Sequence, residues 1–387
     1  MHSPQKRTEP AGGQQLAGLT HLRALAIILV FLFHYQLFGH PAWIETAGAF
    51  GWTGVDLFFV LSGFLISRQL FKSIAQTGSF SPGAFYFKRV MRIIPAYGVV
   101  LACYFFFPWF REKEALPPLW KFLTFTQNIG LNLRTQRTFS HAWSLCIEEQ
   151  FYLLLPLVLM GLRFNKKVFY LLAGLFIAGF IIRAFSYTKW VSPSGDGFAW
   201  YTWIYYPSWC RLDGLLAGIA IAGVFQFKPA LKEKMTRPGN WWLAITGLLL
   251  AATYWICGDQ VSYTSSVLGF PLVDISFGVL VLAALSPSCV LFRFQSRISY
   301  WIATLSYSIY LVHKGCIHVA QQQLAKLGVA ENGALMLFLC IAATMTGALL
   351  LHFIIERPFL QLRDRALAKY KNKRGHQTFS TTSPPTG

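Results

Sequence analysis

Charge is scarce in this chain. Asp, Glu, Lys and Arg make up 13% of its 387 residues, about half the share found in an average soluble protein. Together with 55% hydrophobic residues and a mean hydropathy of +0.45, that scarcity excludes an ordinary soluble enzyme. Patterned cysteine is missing too. Cys103, Cys146, Cys210, Cys257, Cys289, Cys316 and Cys340 lie in or beside apolar segments without metal-type spacing. They read as small core hydrophobes, so neither a disulfide framework nor a zinc site is expected, and no metal of any kind. No small-residue cleavage site follows the first apolar stretch, which is therefore expected to stay as a membrane helix. No internal repeat is evident.

Long apolar stretches are what the chain does have. Ten candidate spans fall at roughly 19–38, 54–72, 95–110, 141–162, 168–185, 204–226, 240–257, 263–285, 299–318 and 334–356. The expected fold is all-α: a polytopic membrane protein of about ten transmembrane helices with both termini cytoplasmic. The orientation follows from the basic residues, because alternate connections and the two termini carry 24 of the 34 Lys and Arg, as the positive-inside rule requires. The same rule accounts for the net charge of +19 without nucleic acid. Residues 1–18 read as a cytoplasmic segment, 19–358 as the membrane domain, and 359–387 as a basic tail that ends Ser/Thr/Pro-rich and disordered. Leu119 to Gly130 is too short to span and reads as a re-entrant or interfacial piece. Phe80 to Met91 suits an amphipathic helix on the inner face.

Chemistry is expected where ionisable residues interrupt the apolar runs, since each is costly in a membrane. In the first span Arg23 and His34 lie about 16 Å apart along a helix axis. Counting depth along the other spans brings Asp56, Glu148, Glu149, Arg211, Asp213 and His313 close to the level of His34. That convergence suggests a polar cavity open to the outer side rather than scattered helix-pairing residues. A second cluster at the inner level has one sign only. Arg89 and Arg92, three apart on one helical face, can be joined by Arg23, a set suited to binding phosphate. Anchoring to anionic lipid is the competing explanation for any one of these arginines.

Several motifs also resemble one known family. They are the Arg23-x10-His34 spacing, Gly54-Val-Asp-Leu-Phe-Phe-Val-Leu-Ser-Gly-Phe-Leu, Arg89-x-x-Arg-Ile-x-Pro95, Trp143-Ser-Leu-x-x-Glu-Glu-Gln-Phe-Tyr152, Arg211-Leu-Asp-Gly-Leu-Leu-Ala-Gly, Leu305-Ser-Tyr-Ser-Ile-Tyr-Leu-x-His313 and Glu356-Arg-Pro-Phe. From about Leu19 to Pro358 the chain is similar to the bacterial membrane acyltransferase 3 family. Cys146-Ile147 departs from the Ser-Val common in that family, and no hydrolase-like domain of the kind fused to some members is expected in these residues.

The resemblance implies O-acyl transfer, with acetyl the expected group, from cytoplasmic acyl-CoA. The acceptor would be a hydroxyl of a glycan, a lipid-linked saccharide or an exported small molecule, and the setting the cytoplasmic membrane. It makes His34 the expected catalytic residue, as general base or as acyl-carrying nucleophile. Asp56, Glu148 or Glu149 would orient it, with Glu149 favoured. Arg23, Arg89 and Arg92 would hold the CoA phosphates, and Arg211, Asp213, His313 and Tyr307 the acceptor. A multi-span transporter or flippase of a saccharide or lipid-linked substrate is the alternative, although matched broken helices in two halves are not seen in the sequence.

Overall fold

The computed structural model of the chain describes residues 14–162 and 167–380; the start of the expected N-terminal segment, the basic connection at 163–166 and the end of the tail lie outside these. The described residues are helical with no strand, as expected. The long helices are α1 (Gln14–Tyr35), α2 (Gly54–Thr77), α3 (Pro82–Phe106), α4 (Trp143–Gly161), α5 (Lys167–Ser186) and α6 (Asp213–Phe227). They continue with α7 (Trp241–Ile256), α8 (Phe270–Leu285), α9 (Arg297–Lys326), α10 (Ala334–Leu351) and α11 (Arg357–Ser380). Among the described residues seven helical stretches are long and apolar enough to cross a membrane, or eight if α6 and the short helix bent 116° from it form one span. The protein is a polytopic α-helical membrane protein.

α9 is not among these apolar stretches, because polar residues interrupt it. Its Ser306, Ser308, Tyr310, His313, Lys314 and Gln321 are all buried. Because α1 and α10 pack along it, these polar groups meet protein rather than lipid, the condition under which a membrane helix tolerates them.

Two expectations about helix limits change. Residues 82–106 form one helix that runs through Pro95, not an interfacial helix followed by a span. Ser81 caps its start by accepting from the Ala84 amide, and Pro82 at the first position needs no amide partner. The sixth stretch, by contrast, is broken. A π turn at Tyr201–Tyr205 gives way at Pro207 to a 3-10 turn at Ser208–Cys210, and α6 starts only at Asp213. Proline has no amide to continue the ladder and keeps its predecessor from a helical geometry.

The connection before α4 folds back into the body. It carries a short helix at Leu119–Leu123 and buries Phe122, Gln127 and Asn128. Gln150 of α4 donates to the Phe125 carbonyl at 2.8 Å, and Asn128 donates to the Tyr206 carbonyl at 3.1 Å. These bonds replace water for backbone that no helix satisfies.

α2 and α6 cross in van der Waals contact because each presents a glycine. A Cβ on Gly63 would come within 2.2 Å of the Leu215 carbonyl oxygen, and one on Gly218 within 2.3 Å of that of Val60. Gly63→Val or Gly218→Val should therefore force the helices apart and destabilise the protein by about 1–3 kcal/mol or more. A thermal melt of purified protein in detergent reads this as a lower Tm; an unchanged Tm would contradict the close crossing.

Candidate active site

Two cavities lie along the seam between α1 and α9. The first, about 230 Å³, is lined by Arg23 of α1, Arg89 and Arg92 of α3, Glu148 and Glu149 of α4, and Tyr307 of α9. Arg23 donates to Ser306 Oγ at 2.9 Å, and Arg89 to Gln69 Oε1 at 3.4 Å. The Arg89 guanidinium also lies 5.5 Å from the ring of Tyr152, within cation–π range. Glu148 accepts a short hydrogen bond from Ser62, whose oxygen in turn accepts from the Tyr152 hydroxyl at 3.1 Å. Tyr307 donates to the Ile93 carbonyl at 3.0 Å. The three arginines converge as the sequence suggests, but they are not free of acid.

The second cavity, about 500 Å³, is lined by His34, Trp143, Tyr205, Lys314 and the cationic Lys113 and Arg137, with further aromatic rings. His34 stands beside two other histidines. Its ring centre is 4.9 Å from that of His313 and 5.7 Å from that of His141. His34 Nδ1 lies 2.9 Å from the Val30 carbonyl and 3.1 Å from His313 Nε2. That leaves Nε2 as the nitrogen available to the cavity. Lys314 forms an ion pair of 2.7 Å with Glu112, both almost fully buried.

A wall separates the cavities. Tyr310 and Ser144 line the first, His141 lines the second. The Tyr310 hydroxyl sits 2.7 Å from Ser144 Oγ and donates a short hydrogen bond to the His141 carbonyl.

A third polar group touches neither cavity and holds the aromatic lining in place. Arg211, in the break before α6, pairs with Asp56 of α2 at 2.6 Å, and Asp213 pairs with Arg183 of α5 at 2.5 Å. Arg183 also donates to the Cys210 carbonyl at 2.8 Å. The Arg211 guanidinium lies 3.8 Å from the centre of the Phe270 ring, 4.9 Å from Tyr205 and 5.6 Å from Trp143. Asp274 of α8 packs against Gly214, the residue after Asp213.

The single layer expected from the sequence is thus three places. Glu148 and Glu149 lie with the arginines and not beside His34, so neither is its orienting partner. The expectation took His141 as the surface end of α4. In fact His141 already touches His34, and a carboxylate seven or eight residues further on lies about 10 Å lower. Asp56 is committed to Arg211 and is likewise not the partner of His34. Arg211 and Asp213 bind other helices rather than line a cavity, Tyr307 belongs to the arginine cavity, and His313 is fully buried behind His34. His141, Lys314, Glu112, Arg183 and Asp274 were not expected here; a histidine or acid inside an apolar segment was the available signal for His141 and Asp274.

This is a helical membrane protein with a cationic cavity and a histidine cavity set end to end. A family model described as an acyltransferase domain matches residues 16–353, and the chain belongs to the acyltransferase 3 family. It is similar to the peptidoglycan O-acetyltransferase OatA of Listeria monocytogenes, at 27% identity over 398 residues covering 95% of this chain and 61% of the relative. It is similar also to the O-acetyltransferase OatA of Staphylococcus aureus, at 29% identity over 318 residues covering 77% of this chain and 50% of the relative. The chain thus spans between half and about three-fifths of the length of these curated relatives. No solved structure matches it.

Breaking a buried ion pair by removing one partner leaves an uncompensated charge. Arg211→Ala is therefore expected to cost about 3–5 kcal/mol of stability, and Asp56→Asn with Arg211→Met to restore much of it. Melting temperatures of the two variants check this; equal losses in both would show that the charge itself is not what is costly.

Proposed function

We propose that the chain is an integral-membrane O-acetyltransferase that moves an acetyl group from cytoplasmic acetyl-CoA to a hydroxyl of a glycan. The Listeria relative is named as a peptidoglycan O-acetyltransferase, which makes peptidoglycan the first acceptor to try. In this reading residues 19–358 form a ten-span domain in the cytoplasmic membrane. Segments 1–18 and 359–387 lie on the cytoplasmic side, and the arginine cavity faces it.

The observation that supports the proposal most is the order of the two cavities along α1. Arg23 and His34 lie about 16 Å apart, comparable to an extended pantetheine arm, with the cationic cavity at one end and the imidazole at the other. Arg23, Arg89 and Arg92 would take the CoA phosphates, guanidinium to phosphate being the favoured charge-assisted pairing. The aromatic lining of the larger cavity suits the flat faces of sugar rings. His34 Nε2 removes the proton from the acceptor hydroxyl as its oxygen attacks the thioester carbonyl. The C–S bond breaks, the imidazolium returns its proton to the departing thiolate, and the products are the acetyl ester and CoA. Tyr310 and Ser144, between the two cavities, lie where the acetyl group must pass.

His34→Ala should lower kcat for transfer from radiolabelled acetyl-CoA by at least about 10²-fold with the protein still monodisperse; activity near wild type would sink the assignment. Arg89→Ala combined with Arg92→Ala should act on the donor instead. The expected result is a rise of about tenfold or more in the KM for acetyl-CoA, while an unchanged KM would assign these arginines to lipid anchoring. Uptake or flipping of labelled saccharide with no ester formed would favour a transporter.

A further inference from the structure

We propose, building on His34 as the catalytic base, that His313 is its positioning residue: a neutral imidazole that holds His34 in the Nδ1–H tautomer, in the place a carboxylate occupies in other histidine-based transferases. His313 Nδ1 lies 2.8 Å from the Tyr310 carbonyl and 3.2 Å from that of Ile309. A carbonyl oxygen only accepts, so this nitrogen carries a proton. His34 Nδ1 lies 2.9 Å from the Val30 carbonyl and carries one for the same reason. The 3.1 Å contact between His313 Nε2 and His34 Nδ1 then has one consistent form. His34 donates, shared between the Val30 carbonyl and the bare Nε2 of His313. A proton on His313 Nε2 would set two donors against each other, so His313 is neutral.

The relay continues through backbone. His313 is anchored by two carbonyls of its own helix, and together with the Val30 carbonyl it fixes which nitrogen of His34 is bare. In the other tautomer of His34 three lone pairs would face one another around Nδ1, and a proton would occupy the nitrogen that faces the cavity. When Nε2 takes the acceptor's proton, the Nδ1–H of the imidazolium becomes a stronger donor toward His313. A neutral partner gives less electrostatic help than a carboxylate, but it adds no charge to a buried membrane site, where an unpaired anion is costly. The charged and titratable groups facing the pair are consistent with this. His141 precedes α4, Tyr310 and Lys314 belong to α9, and the ammonium of Lys314 is paired with Glu112. His313 is fully buried, does not line the cavity and is placed to act only through His34.

The experiment compares His313→Leu with His313→Gln in purified full-length protein with acetyl-CoA and a glycan acceptor. His313→Leu is expected to lose about 10²-fold in kcat with both KM values within about twofold. His313→Gln, whose amide oxygen can accept from His34, should stay within about tenfold of wild type. Nitrogen-15 NMR of histidine-labelled protein should show His34 as the Nδ1–H tautomer in wild type and His313→Gln, and as a mixture in His313→Leu. A wild-type kcat in His313→Leu, a loss confined to the acceptor KM, an equal loss in both variants, or an unchanged His34 tautomer would each overturn the assignment. The NMR readout needs no turnover. Should His34 prove not to be the base, kinetics of His34→Ala would show it while the tautomer result stood apart. Melting temperatures of both variants accompany the kinetics, and His313→Gln keeps the test decisive if the leucine variant does not fold.

Discussion

The structure depends on the register between α1 and α9. Two polar rungs hold it: Arg23 to Ser306 at one end and His34 to His313 at the other. The rungs are eleven positions apart on α1 and seven on α9, so the long arginine side chain bridges an axial mismatch of about 6 Å. In an apolar surrounding a shifted register would strand each of these groups without a partner, a cost of several kcal/mol for a charge. Apolar packing alone, which is non-directional, could not discriminate so sharply. Both cavities open on this seam, so the same two contacts that align the helices also fix how far the arginines stand from the imidazole.

The remaining charge is divided so that it does not interfere. Asp56 with Arg211, Asp213 with Arg183 and Glu112 with Lys314 are three buried pairs with almost no exposure. The first two lie away from both cavities, and the third neutralises a cation in the lining of the larger one. Their net worth to stability is small, since desolvation offsets attraction; their contribution is geometric. Arg211 is held flat among Phe270, Tyr205 and Trp143, and two of those rings wall the larger cavity. In the smaller cavity three arginines face two glutamates. That arrangement keeps like charges together in the absence of an anion more cheaply than three unaccompanied guanidiniums would.

How much of this was legible in the sequence follows from what sequence distance measures. Long apolar runs mark membrane helices directly, and all ten expected stretches contain a helix. The convergence of Arg23, Arg89 and Arg92 was readable because helical spacing and depth coincide there. Depth alone misled for Glu148, Glu149 and Asp56, whereas His313 does meet His34 as its depth suggested. Residues at one level of different helices share a site only if their side chains also point the same way, and the sequence holds no such direction. The level itself was wrong for α4, because the loop that caps it buries His141 as deep as His34. Lys314 and Glu112 were illegible for a related reason: their partner lies 202 positions away in a connection with no periodic pattern.

The wall between the cavities has its own physical logic. A partition in a membrane bundle is ordinarily made of packed apolar side chains, and moving those opens a void whose cost grows with its volume. Here the partition is hydroxyl to hydroxyl and hydroxyl to carbonyl: Tyr310, Ser144 and the backbone of His141. A net hydrogen bond contributes about 0.5–1.5 kcal/mol, and an incoming thioester or sugar hydroxyl can take over the groups that a shift of Tyr310 would release. Tyr310 also stands one turn from His313 on α9, and its carbonyl accepts the His313 proton. The side chain that closes the passage and the carbonyl that sets the histidine tautomer therefore belong to one residue. Any backbone displacement at Tyr310 would be felt at both the wall and the base.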